Sequence, residues 1–197
     1  MKKLTLRALT EGAIFVAAAQ ILSYLKIWRM PWGGSITLAM IPIILYAVRW
    51  GLGPGLLVGF VYGILQFMFD GGISLGWQSI IGDYLLAYTA LGLGGCFRNR
   101  LRKGPALLWG SLVALGARYL THIFSGYILF AGWAEWFFTQ EGFPGWGATL
   151  VFSLSPDALG WLYSIVYNGM YMIPEMLLTA AAAVLIARVP GVAEKIS

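Results

Sequence analysis

From residue 50 to residue 69 the chain contains no Asp, Glu, Lys or Arg. A helix of about 20 such residues is what a hydrocarbon layer about 30 Å thick requires. The rest of the sequence repeats the pattern. Residues 12–25 are uncharged between Glu11 and Lys26, a short run whose helix must begin before Glu11, and residues 30–48 are uncharged between Arg29 and Arg49. A run from about Leu75 to Phe97 contains Asp83 as its single charge. Another from about Ala106 to Phe130 is broken by Arg118 and His122, and a last one from about Ala158 to Ile186 is broken by Glu175. The reading is an all-α integral membrane protein of six transmembrane helices, with residues 1–197 as a single membrane domain. Turn residues punctuate the runs at Met30-Pro31-Trp32-Gly33-Gly34-Ser35, Gly51-Leu52-Gly53-Pro54-Gly55, Asp70-Gly71-Gly72 and Lys103-Gly104-Pro105.

Composition excludes the main alternatives. Only 11% of residues are charged and 59% are hydrophobic, whereas a soluble domain carries about 25% charged residues to wet its surface. A net charge of +5 does not signal nucleic acid, because the basic residues lie in short clusters between apolar runs. Lys2, Lys3, Arg7, Arg49, Arg98, Arg100, Arg102, Lys103, Arg188 and Lys195 fall on one side of a six-span topology, and Lys26 and Arg29 on the other. The excess of Lys and Arg on cytoplasmic loops then places both termini in the cytoplasm. Arg7 and Glu11 interrupt the first apolar stretch, so it reads as a retained helix rather than a cleaved leader. One cysteine, Cys96, and one histidine, His122, leave no basis for a disulfide or a multi-histidine metal site. No cofactor is expected. The chain contains no P-loop, H-E-x-x-H or G-x-S-x-G pattern.

Polar groups inside a span are costly and need a partner or a task. At 1.5 Å per residue, Arg118 lies roughly 20 Å and His122 roughly 25 Å along the fifth span from the cytoplasm. Counted from the outside, Asp83 lies roughly 12 Å down the fourth span, Tyr163 roughly 8 Å and Asn168 roughly 15 Å down the sixth. Tyr62 in the third reaches a similar level. These side chains share one layer between the midplane and the outer surface. They suit an outward-opening ligand pocket with Asp83 as its fixed negative charge, or a buried Asp83–Arg118 ion pair that orders the bundle. Phe130, Trp133, Trp136, Phe137, Phe138, Trp146 and Trp161 gather in or beside the long connector 131–158. They suit an interfacial belt or a lid that stacks on a flat or cationic ligand. Gly55, Gly59 and Gly63 line one face of the third span, and Ala13 and Ala17 make a small-residue patch on the first. Glu175 has no evident basic neighbour in sequence.

Certain segments carry a family resemblance over nearly the whole chain. They are Met30-Pro31-Trp32-Gly33-Gly34-Ser35 with Met40-Ile41-Pro42-Ile43, Gly82-Asp83-Tyr84, Arg118-Tyr119-Leu120-Thr121-His122-Ile123-Phe124-Ser125-Gly126, and Tyr163-Ser164-Ile165-Val166-Tyr167-Asn168. With them the sequence resembles the thiamine-specific substrate-binding component of the energy-coupling-factor transporters. The resemblance implies six helices in the cell membrane, an outward vitamin pocket and no catalysis. It also implies docking to a transmembrane scaffold subunit that works with two ATPase subunits. Its pocket positions map onto Asp83, Arg118, His122, Tyr163 and Asn168, with Tyr84 beside Asp83, and its scaffold-facing patch onto Ala13 and Ala17. The chain departs from the pattern at Gly33 and Thr37, where members carry tryptophan and glutamate. It departs again at Tyr62 and Phe130, where members carry tryptophan, and at Asp83, which is often the longer glutamate. Trp133 is the substitute stacking candidate. Alternatives are a binding subunit for another vitamin or a thiamine precursor, or an integral-membrane enzyme using Asp83 and His122 as acid and base.

Overall fold

The computed structural model describes residues 5–31, 33–69, 76–98, 103–140, 143 and 145–189. Among them, five helices are long and apolar enough to cross a membrane. Helix α1 (Leu6–Tyr24) starts at Thr5, whose hydroxyl accepts from the Ala8 amide, satisfying one of the free N–H groups of the first turn. A two-stranded antiparallel hairpin follows, β1 (Trp28–Arg29) and β2 (Ser35–Ile36), with Trp28 opposite Ile36. Gly33 and Gly34 turn it with φ of 103° and 94°, values that a side chain disfavours. Helix α2 (Met40–Trp50) then has 11 residues. The expected second span over 30–48 is therefore not one helix. Pro31 and the two glycines divert its first half into the hairpin, and α2 is about 16 Å long, too short to cross alone.

Helix α3 (Leu52–Phe69) is followed by α4 (Trp77–Phe97), α5 (Lys103–Phe130), the short α6 (Ala134–Phe138) and α7 (Trp146–Ser153), and the long α8 (Pro156–Ala187). Ser155 caps α8, and Pro156 occupies its first turn, where the missing N–H costs nothing. Helix α4 is irregular: Ile80–Leu86 are π-helical and Ala90–Phe97 are 3-10. Helices α5 and α8 pack along each other, and α4 packs on α2, α3 and α5.

Lipid gives helices no hydrophobic reason to associate, so close packing of small residues has to hold them. The glycine stripe of α3 does this. A Cβ on Gly59 would stand 2.5 Å from the Tyr88 carbonyl oxygen, and one on Gly63 would stand 2.7 Å from that of Tyr84. Outward faces are apolar, with Ile14 and Ile21 on α1, Phe60 and Ile64 on α3, Leu120 and Phe124 on α5, and Ile173 and Leu177 on α8 all exposed.

Apart from Asp83, Arg118 and Glu175 within the spans, the charged groups of the described residues lie toward the bundle's ends. Glu11 binds Arg7 at 3.0 Å, Arg49 at 3.0 Å and the Trp50 indole at 2.9 Å, which explains how an acid is tolerated in the first span. Arg98 donates to the Trp50 carbonyl at the same end. Lys26 and Arg29 lie at the hairpin end. The basic residues Lys2, Lys3, Arg100, Arg102 and Lys195, the Asp70-Gly71-Gly72 turn and Trp32 lie outside the described residues.

Candidate functional site

At the hairpin end, α4, α5, α8, the hairpin and α6 enclose a cavity of about 310 Å³, within the range of small-molecule sites. Its walls include Asp83, Tyr84, Arg118, His122, Phe130, Trp133, Tyr163 and Asn168. Eight of the nine side chains singled out for the site thus meet in one space. Tyr62 does not. It is fully buried, donates to the Ala19 carbonyl at 3.4 Å and sets its ring edge-on to Tyr88. Its depth along α3 matches the layer, but its rotation about the helix axis points it toward α1.

Asp83 and Tyr84 sit in the π-helical segment of α4. Such segments are rare and often found at functional sites. Asp83 Oδ2 accepts from Ser79 Oγ at 2.8 Å, and its Oδ1 lies 3.2 Å from His122 Nδ1. An ionised carboxylate can only accept, so a neutral His122 must carry its proton on Nδ1 and present Nε2 as a bare acceptor. His122 is 7% exposed and its Nε2 has no hydrogen-bond partner among the described residues. The pair therefore offers a negative charge and, beside it, a buried lone pair suited to an N–H donor.

The alternative arrangement, an Asp83–Arg118 ion pair, is not formed. Arg118 Nη1 instead donates to Glu175 Oε2 at 2.9 Å, and the guanidinium lies 4.5 Å from the centre of the Tyr88 ring. Glu175 Oε1 accepts from both the amide (3.2 Å) and the hydroxyl (3.1 Å) of Thr37. Glu175 thus has a partner, 57 residues distant in sequence.

Helix α8 supplies one wall through a stripe of period four. Tyr163, Tyr167 and Tyr171 all line the cavity, and Glu175 continues the stripe behind it. Tyr167 donates to the Gly33 carbonyl at 2.9 Å, and Tyr171 packs so closely on Gly34 that a Cβ there would stand 2.7 Å from its ring. The same face thus forms the wall and holds the hairpin. Asn168 is occupied internally: its amide nitrogen donates to the His122 carbonyl at 3.1 Å and its oxygen accepts from Tyr171 at 2.8 Å. It braces the turn of α5 that carries the histidine.

Of the connector aromatics, Phe130, Trp133, Trp136 and Phe137 line the cavity. Phe138 is buried against Phe137 and Phe143, Trp146 packs on Phe143, and Trp161 stacks on Tyr127 at 4.0 Å. Sequence reasoning missed Tyr88, Tyr167, Tyr171 and the hairpin backbone as wall elements. Ala13 and Ala17 are exposed on the outer face of α1, away from the core.

A bundle of lipid-facing helices around a cavity with aromatic walls and a half-buried carboxylate defines a multi-pass membrane protein built to bind a small solute. The family model described as "Thiamine transporter protein (Thia_YuaJ)" matches residues 9–192, and the chain belongs to that family. It is 31% identical over 188 residues to the thiamine transporter ThiT of Bacillus subtilis (strain 168), covering 87% of this chain and 85% of that one. It is 27% identical over 173 residues to the ThiT of Lacticaseibacillus paracasei, covering 81% and 76%. A solved structure of ThiT from Listeria monocytogenes superposes with a TM-score of 0.74 at 25% identity, covering 95% of this chain and 97% of that one. The chain is a multi-pass cell-membrane protein of a transporter family, not an enzyme.

Proposed function

We propose that this chain captures thiamine in the cavity described above, as the substrate-binding subunit of an energy-coupling-factor importer. The observation that carries the reading is the pairing of Asp83 with His122 within aromatic walls, in a chain whose named relatives are thiamine transporters. Thiamine is a flat cation that also carries an aminopyrimidine. Asp83 offsets its charge, and His122 Nε2 accepts from the amino group. Tyr84, Phe130 and Trp133 stack on the rings, Tyr163 fixes their orientation, and Asn168 and Arg118 hold the deep wall in place. Cations gain from aromatic faces when water is excluded.

In this reading residues 1–197 form one membrane domain with both termini in the cytoplasm and the cavity facing outward. Five full helices cross, and α2 together with the hairpin supplies the sixth passage. The exposed Ala13 and Ala17 of α1 meet a transmembrane scaffold subunit coupled to two ATPase subunits, since the chain itself carries no nucleotide-binding motif. Native mass spectrometry of the purified protein tests the first step. The expected result is a co-purified species of thiamine's mass, replaced by the heavier form when isotopically labelled thiamine is added. A protein that carries no ligand and shows no heat of binding with thiamine in calorimetry refutes the reading.

A further inference from the structure

Glu175 contributes no surface to the cavity, is 0% exposed and lies at membrane depth, where an acid must have a reason. Its carboxylate is held on both sides: Arg118 on one oxygen, Thr37 twice on the other. Arg118 does line the cavity and is 5% exposed. A guanidinium there would repel any positively charged ligand if its charge stood alone. The titratable groups at this level are the half-buried Asp83 and the buried Arg118, Glu175 and His122. With His122 uncharged, their sum is one negative charge, and removing the charge of Glu175 brings it to zero.

We infer that Glu175 determines the charge preference of the site from behind its wall: by neutralising Arg118 it leaves the charge of Asp83 available to a cation. This deepens the thiamine reading and rests on it. Glu175 is a specificity-determining residue that never touches the ligand, acting through Arg118. Two further cations line the cavity at the hairpin end, the half-buried Lys26 and the exposed Arg29; solvent screens them in part, and both are the same in every variant compared below, so the change in charge on removing Glu175 does not depend on them. The structural role of Glu175 is separate. Its bonds to Thr37 tether the segment that follows β2, and a loss of that tether weakens all ligands alike.

Comparing two ligands of different charge separates the effects. Affinities for thiamine and for its uncharged hydroxymethyl-aminopyrimidine fragment are measured by calorimetry on the purified full chain. The comparison covers the wild type, Glu175→Gln, and the double variant Glu175→Gln with Arg118→Gln. A unit charge about 8 Å away in a protein-like medium changes affinity roughly thirtyfold. Glu175→Gln therefore lowers the ratio of thiamine to fragment affinity by about tenfold or more. The double variant removes both charges, leaves no buried ion unpaired, and returns the ratio to within about threefold of wild type. A ratio unchanged in folded Glu175→Gln overturns the inference. Should that variant not fold, a tenfold or larger fall of the ratio in the double variant overturns it instead. A wild type that binds no thiamine refutes the functional proposal, a different outcome from either of these.

Discussion

Asp83→Asn is the sharpest perturbation the site permits, because it changes charge and almost nothing else. The asparagine oxygen can still accept from His122 Nδ1, now 3.2 Å from Asp83 Oδ1, and its amide can donate to Ser79 Oγ, which sits 2.8 Å from Oδ2. The hydroxyl of serine serves as donor or acceptor, so the local network survives and the fold loses less than about 1 kcal/mol. A ligand that relied on the carboxylate loses a charge-assisted contact of about 1.5–3 kcal/mol. The Asp83 side chain is 22% exposed, so water screens part of its charge and about 2 kcal/mol is a fair central figure. That converts to a dissociation constant about thirtyfold weaker. Calorimetry of purified protein with thiamine reads it directly, and a thermal melt of the ligand-free variant verifies that it is folded. The uncharged pyrimidine fragment serves as internal control and should lose much less. A folded variant that binds thiamine within threefold of wild type would refute the role assigned to Asp83, and with it the claim that the cavity selects by charge.

Three further outcomes follow from other parts of the structure. Tyr167→Phe removes the 2.9 Å bond to the Gly33 carbonyl, worth about 1 kcal/mol. It should quicken thiamine release about fivefold and raise hydrogen exchange across residues 28–36, whereas an unaltered release rate in stopped-flow fluorescence contradicts the clamp. Gly59→Ala drives a methyl to 2.5 Å from the Tyr88 carbonyl and 3.2 Å from the Thr89 Cα. Backbone cannot give way as a side chain does, so a loss of about 1–3 kcal/mol is expected in melting experiments. Gly53→Ala, with nothing within 4 Å, should be silent. Ala17→Trp enlarges an exposed residue of α1; thiamine affinity of the isolated chain should stay as in wild type while uptake by cells carrying the scaffold and ATPase subunits falls to background. Undiminished uptake would move the docking face elsewhere.

The sequence revealed depth and concealed rotation. Counting residues from the nearest charge cluster placed Asp83, Arg118, His122, Tyr163 and Asn168 in one layer, and all five line one cavity. The same count admitted Tyr62, because a level along a helix says nothing about the direction in which a side chain leaves it. On α3 that direction is set by the glycine stripe, which turns the face bearing Gly59 and Gly63 toward α4 and leaves Tyr62 among α1 and Tyr88. The π-helical register over Ile80–Leu86 has no residue pattern that announces it, so nothing in Gly82-Asp83-Tyr84 warned that helix geometry changes at the carboxylate. The hairpin was half visible. Pro31, Gly33 and Gly34 marked a break, but strands of two residues each carry no periodicity to read.

The Arg118 pairing shows what a list of intramembrane charges can and cannot decide. Three ionised groups and a histidine in neighbouring spans allow several pairings, and the depth count admitted Asp83 with Arg118 as one alternative while leaving Glu175 without a partner. The structure chooses Glu175 instead, because Tyr163, Tyr167, Tyr171 and Glu175 lie at intervals of four and so share one face of α8, directed at α5 and the hairpin. That periodicity was present in the sequence, and following it one step past Tyr171 leads to the acid. The consequence is functional as well as structural. Had Arg118 taken Asp83, the buried layer would have held a closed ion pair and a stranded glutamate, and a cation would have found no charge to meet. With Glu175 absorbing the arginine, the carboxylate of Asp83 is left with uncharged or weakly basic partners among the described residues, Ser79 and His122 foremost. In the proposed reading, an aspartate supported by a hydroxyl and an imidazole, against aromatic walls, is what keeps a field available to a planar cation.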